Sequence, residues 1–167
     1  ERIRALTGES AAGGADRLRV GLAWAGNPAQ QQNVVRSCPL DVFASLAAVP
    51  GIDWFSLQKE ADDTALHGAW PADRPIVALG PLLQDFGDTA AVMGELDLVI
   101  TVDTSVAHLG GALGRPTWTL LSQTPDWRWE LGRTDSPWYP SMRLFRQPRW
   151  GDWEAVRQEV ISALEER

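Results

Sequence analysis

The stretch VDTSVAH places Asp103, Thr104, Ser105 and His108 within six positions of one another. An apolar run, LDLVITV, leads into them, so the spacing predicts that they sit where a buried strand turns into a helix. Thr104 or Ser105 would then be the N-cap, and the first backbone N–H groups of the helix would be left without intrahelical partners at the positive end of its dipole. Helical side chains lean back toward the N-terminus, which brings the His108 imidazole toward the same point. Such a set could hold a diphosphate. The same residues also fit a plain capping motif with His108 packed against a neighbouring loop.

Other stretches carry candidate ligand contacts. WAGNPAQQQNVVRSCPL reads as a glycine-containing loop between a strand and a helix, from which Asn27 and Arg36 could reach a ligand; for Arg36 a helix-docking or solvated role fits equally well. The loop matches neither G-x-G-x-x-G nor the P-loop pattern, so it does not indicate chemistry of either kind. SLQKE puts Gln58 and Lys59 at a strand end, and Lys59 is the single lysine among 15 basic residues. Asp85 and Asp88 read most simply as helix caps. Nine tryptophans are present, and Trp127, Trp129 and Trp138 alternate with Asp126, Arg128, Arg133 and Asp135. Their rings could stack on a base or sugar, with Trp127 and Trp129 the candidate contacts, or could fasten a long loop to the core.

Positioning these groups requires a particular order of elements. RLRVGLAWAG, IDWFSLQ, PIVALG, LDLVITVD, TWTLLS and MRLFRQ read as strands. Helices are expected from Ser37 or Pro39 to about Val49, from Asp85 or Asp88 onward, from Ser105 to Leu113 with Gly114 as its C-terminal glycine, and over DWEAVRQEVISALEE. Strands alternating with helices predict an α/β fold, a parallel Rossmann-like sheet with helices on both faces. Ligands in such sheets bind beyond the carboxyl ends of the strands. Residues 1–16 are small and polar and read as a linker or flexible terminus, and residues 17–167 as one domain.

Composition narrows the class. The net charge of −7 repels nucleic acid and anionic membrane surfaces, so no nucleic-acid partner is expected and any anion site must be local. No apolar run approaches the roughly 18 residues of a transmembrane segment. Cys38 is the only cysteine, which excludes an intrachain disulfide and a Cys/His zinc set and fits a reducing cytoplasm. The chain opens ERIRALTGES with neither Met nor a basic-then-apolar leader, and is expected to be a fragment of something longer.

The segments VGLAWAGNP, RSCPL, SLQKE, DFGDTAAVMGELDLVITVDTSVAHLGGALGRPTW and PDWRWELGRTDSPWYPSMRLFRQPRWGDW, in that order, resemble the carboxyl-terminal region of bacterial tetratricopeptide-repeat glycosyltransferases related to the heptosyltransferases of glycosyltransferase family 9. The resemblance spans nearly all of Arg19 to Leu164. It implies the donor-binding half of a GT-B glycosyltransferase, which transfers a sugar from a nucleoside-diphosphate sugar to an acceptor hydroxyl. It further implies inversion at the sugar carbon, and the absence of an Asp-x-Asp element fits a reaction with no metal and no cofactor beyond the nucleotide sugar. Carried over by position, Asp103, Thr104, Ser105 and His108 correspond to the family's element at the donor phosphates and sugar. Arg36 falls where a basic donor contact is found, and Gln58 and Lys59 fall near the nucleoside. His108 and Arg36 would stabilise the leaving diphosphate, while the general base would come from the missing amino-terminal half. Two departures stand out: AQQQNVV replaces a more polar stretch before Arg-Ser, and Asp-Thr-Ser replaces Asp-Thr-Gly. The Gln-rich loop keeps open a non-catalytic nucleotide-binding or scaffold domain of a tetratricopeptide-repeat protein, and the shared two-half architecture keeps open a nucleotide-sugar epimerase.

Overall fold

A computed structural model describes residues 17–30, 33–59, 66 and 68–167. The segment read as a linker, residues 1–16, lies outside the described residues. The strands are β1 (Leu18–Ala23), β2 (Ile52–Ser56), β3 (Ile76–Ala78), β4 (Leu98–Val102), β5 (Thr117–Leu121) and β6 (Met142–Arg146). The helices used below are α1 (Asn33–Arg36), α2 (Leu40–Ala44), α3 (Phe86–Gly94), α4 (Ser105–Ala112) and α5 (Trp153–Glu165). Short 3-10 turns cover Ser45–Ala48, Gly80–Leu82 and Trp127–Trp129.

The six strands form one sheet in the order β3-β2-β1-β4-β5-β6, and each neighbouring pair is parallel. This is the Rossmann-like α/β sheet expected from the alternating pattern. A parallel sheet needs cover on both faces, and the strands show why: β2, β4 and β5 are buried at every position. One face packs Val20, Leu22, Trp54, Leu98, Ile100 and Trp118 against Phe43 of α2 and Val156 and Val160 of α5. The other packs Phe55 and Val99 against Val92 and Met93 of α3, and Leu121 and Leu144 against Ala107 of α4 and Trp129. Each large side chain so buried stabilises the fold by roughly 1.5–3 kcal/mol.

The helix expected as far as Val49 is shorter and differently started. It is capped by Pro39 with no side-chain bond, while Ser37 instead donates its hydroxyl to Asn33 Oδ1 at 3.1 Å. Its second half tightens into the 3-10 turn, and Val49 is extended (φ −69°, ψ 122°) because it precedes Pro50, whose ring disfavours helical backbone at the preceding residue. Asp85 rather than Asp88 caps α3, accepting from the Asp88 amide. Gly114 closes α4 with φ +64°, the left-handed conformation that glycine adopts without a Cβ penalty.

At the edge of the sheet away from the strand carboxyl ends, Asp97 accepts from the Arg19 amide at 2.8 Å and from its guanidinium at 3.2 and 3.0 Å. Burial works against the Asp97 carboxylate, but the hydrogen bonds and charge of Arg19 outweigh it and hold its pKa below the ordinary carboxylate range. A depressed folded-state pKa contributes stability that is present above the unfolded value, about 3.9, and is lost as pH falls through the folded value. Asp97→Asn should therefore lower the urea midpoint at pH 7, and the gap to the wild type should narrow below about pH 4; urea titrations of both proteins across pH check this.

Candidate functional site

In this strand order the chain leaves β1 toward β2 and β3, then returns to place β4 on the opposite side of β1. The loops after β1 and β4 therefore diverge, and a crevice opens between them at the carboxyl edge. A cavity of about 430 Å³ occupies that position, lined by the β1 loop (Gly26, Asn27, Gln30 and Arg36), the end of β2 (Leu57, Gln58 and Lys59) and the start of α4 (Asp103, Thr104, Ser105, Val106 and His108). All eight polar residues singled out from the sequence as donor contacts, Asn27, Arg36, Gln58, Lys59, Asp103, Thr104, Ser105 and His108, stand on its wall.

Thr104 is the N-cap of α4, with extended backbone (φ −140°, ψ 177°), and its hydroxyl accepts from the Val106 amide at 3.2 Å. The hydroxyl also meets Thr101 Oγ1 at 3.3 Å, so the cap is anchored to β4. Ser105 is left as the first helical residue with its side chain at the cavity. Asp103, between strand and cap, is 5% exposed, and its Oδ2 is buried without a hydrogen-bond partner. A buried carboxylate oxygen in that condition is a strong acceptor facing an unmet demand.

The opposite wall is tied down by backbone contacts. Gln58 Oε1 accepts from the Ala25 amide at 3.0 Å, which leaves its NH₂ as the donor end. A Cβ on Gly80 would lie 2.2 Å from the Gln58 carbonyl oxygen, so only glycine lets the loop after β3 rest against this segment. Lys59 Nζ donates to the Gln84 carbonyl at 2.7 Å. Arg36 donates to Gln30 Oε1, and its Nε is buried without a partner. Gln30 was not singled out from the sequence; its position six residues before Arg36 in an otherwise featureless Gln-rich run carries no periodic signal.

His108 is held on two sides. Its ring stacks on Trp129, centroids 5.2 Å apart and planes 21° apart, and its Nδ1 lies 3.1 Å from the Tyr139 hydroxyl. The two tryptophans expected as candidate ligand contacts are absent from the cavity wall. Trp129 is fully buried in the cluster with Ala107, Leu121, Met142 and Leu144, because its indole fills the space behind His108. Trp127 is 69% exposed, pairs edge-to-face with Trp138 at 6.2 Å, and lies under the Arg128 guanidinium, 4.9 Å away.

Electrostatically, the formal charges on the wall are Arg36 and Lys59 against Asp103, a local positive excess in a chain of net charge −7. The helix dipole of α4 adds to it. Burial, with Asp41 adding to it, raises the Cys38 thiol far above its ordinary range, so that group stays protonated and takes no part as a nucleophile.

A parallel Rossmann-like sheet with a cavity at its switch point is an architecture in which ligands bind beyond the carboxyl ends of the strands. Residues 54–163 match the model of glycosyltransferase family 9 (heptosyltransferase), and the chain belongs to that family. Protein FlbA of Caulobacter vibrioides is 28% identical over 151 residues, covering 87% of this chain and 25% of FlbA. The Escherichia coli ADP-heptose lipopolysaccharide heptosyltransferase II superposes with a TM-score of 0.67 at 16% identity, over 99% of this chain and 52% of that one. The Escherichia coli heptosyltransferase WaaC with ADP gives a TM-score of 0.60 at 18% identity, over 90% of this chain and 45% of that one. The chain thus spans about a quarter of FlbA and about half of each of these two solved chains.

Thr104→Ala removes the cap of α4 and should lower unfolding free energy by about 1 kcal/mol, whereas Thr104→Ser should retain most of it; chemical denaturation of the two variants distinguishes them.

Proposed function

We propose that this chain is the donor-binding half of a GT-B glycosyltransferase that transfers a sugar from a nucleoside-diphosphate sugar to an acceptor hydroxyl, with inversion and without a metal ion. The observation that carries the reading is the convergence of the α4 N-terminus, Arg36 and His108 on one cavity at the switch point of the sheet. Family membership supports the reaction class, and the relative WaaC, whose structure contains ADP, supports a nucleoside diphosphate as the bound group.

In this reading the N-terminal end of α4, with Thr104 and Ser105, receives the diphosphate at the positive end of the helix dipole. As the bond from the sugar carbon to the phosphate oxygen breaks, negative charge grows on the leaving diphosphate. Arg36 and His108, fixed before the reaction begins, stabilise that charge more than they stabilise the bound donor, which is the condition for acceleration. Asn27 joins them as a neutral hydrogen-bonding contact. Asp103, on the same wall, supplies a carboxylate beside the sugar, and Gln58 and Lys59 line the nucleoside end. The acceptor and its general base belong to an amino-terminal half carried by a longer protein, together with tetratricopeptide repeats, in the cytoplasm. A non-catalytic scaffold domain is the second reading, favoured by Gln30 engaging the guanidinium of Arg36.

Calorimetric titration of the protein with ADP, UDP and GDP decides between these readings. The donor-site reading expects one of the three to bind, with Arg36→Ala and His108→Gln each weakening it by about five-fold or more, the equivalent of about 1 kcal/mol for a lost charged contact. No heat with any nucleotide, using the longer protein as well, favours the scaffold. Conversion of a sugar nucleotide without acceptor would point instead to an epimerase. The 167-residue chain by itself should bind donor more weakly than the longer protein and show little transfer, measured by release of nucleoside diphosphate.

A further inference from the structure

We propose that Tyr139, the single tyrosine of the chain, is a positioning residue that keeps a proton on His108 Nε2, the ring nitrogen left for an anion in the cavity. The inference deepens the donor-site reading and rests on it for the identity of that anion. The Tyr139 hydroxyl and His108 Nδ1 are 3.1 Å apart, and among the described residues no hydrogen bond engages Nε2.

A neutral imidazole has one N–H and one bare nitrogen, and an anion is served only by the N–H. A hydroxyl is both donor and acceptor. A phenol O–H is a better donor than acceptor, and a bare imidazole nitrogen is a better acceptor than a phenol oxygen. Toward neutral His108 the favoured arrangement therefore has the Tyr139 O–H donating to Nδ1, which leaves the ring proton on Nε2. Toward the imidazolium the same oxygen accepts from Nδ1–H, and Nε2 keeps its proton. A backbone carbonyl at this position could only accept, so it would favour the neutral tautomer with a bare Nε2, the wrong one for a diphosphate.

The surroundings are built for this contact. A Cβ on Gly111 would lie 2.3–2.7 Å from carbons of the Tyr139 ring, so the absence of a side chain at Gly111 is what lets the ring lie against α4. Trp129 stacks on a face of the imidazole, and His108 and Tyr139 meet edge-to-face at 5.9 Å. The charged groups around the ring are Asp126, whose carboxylate couples to His108 and is paired with Arg128 at 2.7 Å, and, on the cavity wall, Asp103, Arg36 and Lys59.

Two measurements on the wild type and Tyr139→Phe test the assignment. Tyr139→Phe keeps the ring on Gly111 and removes only the hydroxyl. Long-range proton–nitrogen correlation spectra of the 15N-labelled protein, recorded without ligand above the histidine titration and assigned with His108→Gln, report which ring nitrogen carries the proton. The wild type should show the Nε2–H form, and Tyr139→Phe should gain the Nδ1–H form. Titration with inorganic pyrophosphate, common to every nucleoside diphosphate, should show Tyr139→Phe binding about five-fold more weakly where His108 is neutral, and equally well where it is an imidazolium. A wild-type Nδ1–H form, an unchanged tautomer in the variant, or an equal loss of affinity at both pH values would overturn the assignment. If the wild type binds neither pyrophosphate nor any nucleoside diphosphate, the donor-site reading fails, and the ligand-free spectra still decide the role of Tyr139.

Discussion

The parallel pairing of β1 with β4 is the contact on which the cavity depends. Its register, from Val20 opposite Leu98 to Ala23 opposite Thr101, brings the ends of the two strands level. Their following loops then face one another: a Cβ on Gly26 would lie 3.5 Å from Thr104 Cγ2 and 2.8 Å from Asn33 Oδ1. Because the side-chain period of a strand is two, a slip by one residue would turn Leu98, Ile100 and Val102 from the face packed with α2 and α5 to the face packed with α3 and carry Thr104 away from the loop it opposes. The two faces of β4 are filled differently, by Leu98, Ile100 and Val102 on one and by the smaller Val99 and Thr101 on the other. A slip would therefore overfill one layer and leave space in the other, and the geometry of a polar site is held by core packing.

An acidic protein that binds an anion must overcome its own field, and here the answer is local. The opposing charges gather in ion pairs around the surface, Arg133 with Asp135 and Glu130 and Arg157 with Glu154 among them, where screening leaves each pair little net effect. At the cavity, Arg36 and Lys59 stand on one wall with a single carboxylate, Asp103, and the N-terminal end of the α4 dipole adds to their field. Two cations against one carboxylate at the cavity, and cations paired with carboxylates over much of the surface, let a chain of net negative charge present a positive pocket.

The segment between β5 and β6 supports the site from behind. Arg146 donates to the carbonyls of Trp129 and Glu130 at 3.2 and 2.6 Å, and burial lowers the pKa of its guanidinium. Glu130 itself has φ 48° and ψ 178°, a conformation that a side chain disfavours and that persists only where its surroundings over-determine it. The clamp by Arg146 and the bond from Trp138 Nε1 to the Arg128 carbonyl at 3.0 Å supply that constraint. The result is a Trp129 ring held rigidly under His108, so an irregular loop performs a task usually given to a helix or strand.

Much of this was legible in the residues. Apolar runs of strand length, separated by amphipathic stretches and glycine or proline stops, specify a parallel α/β sheet through local patterning, and VDTSVAH specifies a capped strand-to-helix turn through short-range hydrogen bonding. Those features act over a few residues, and together with the family resemblance they point to eight of the nine polar residues on the cavity wall, all but Gln30. Tertiary structure alone decided that Trp129 and Tyr139 hold His108 while Trp127 faces outward, that Gln30 engages Arg36, and that Gly111 is small to admit a ring 28 positions further along. Such contacts join parts of the chain that no periodicity relates, and they arise only when the sheet order has brought separate loops to the same edge.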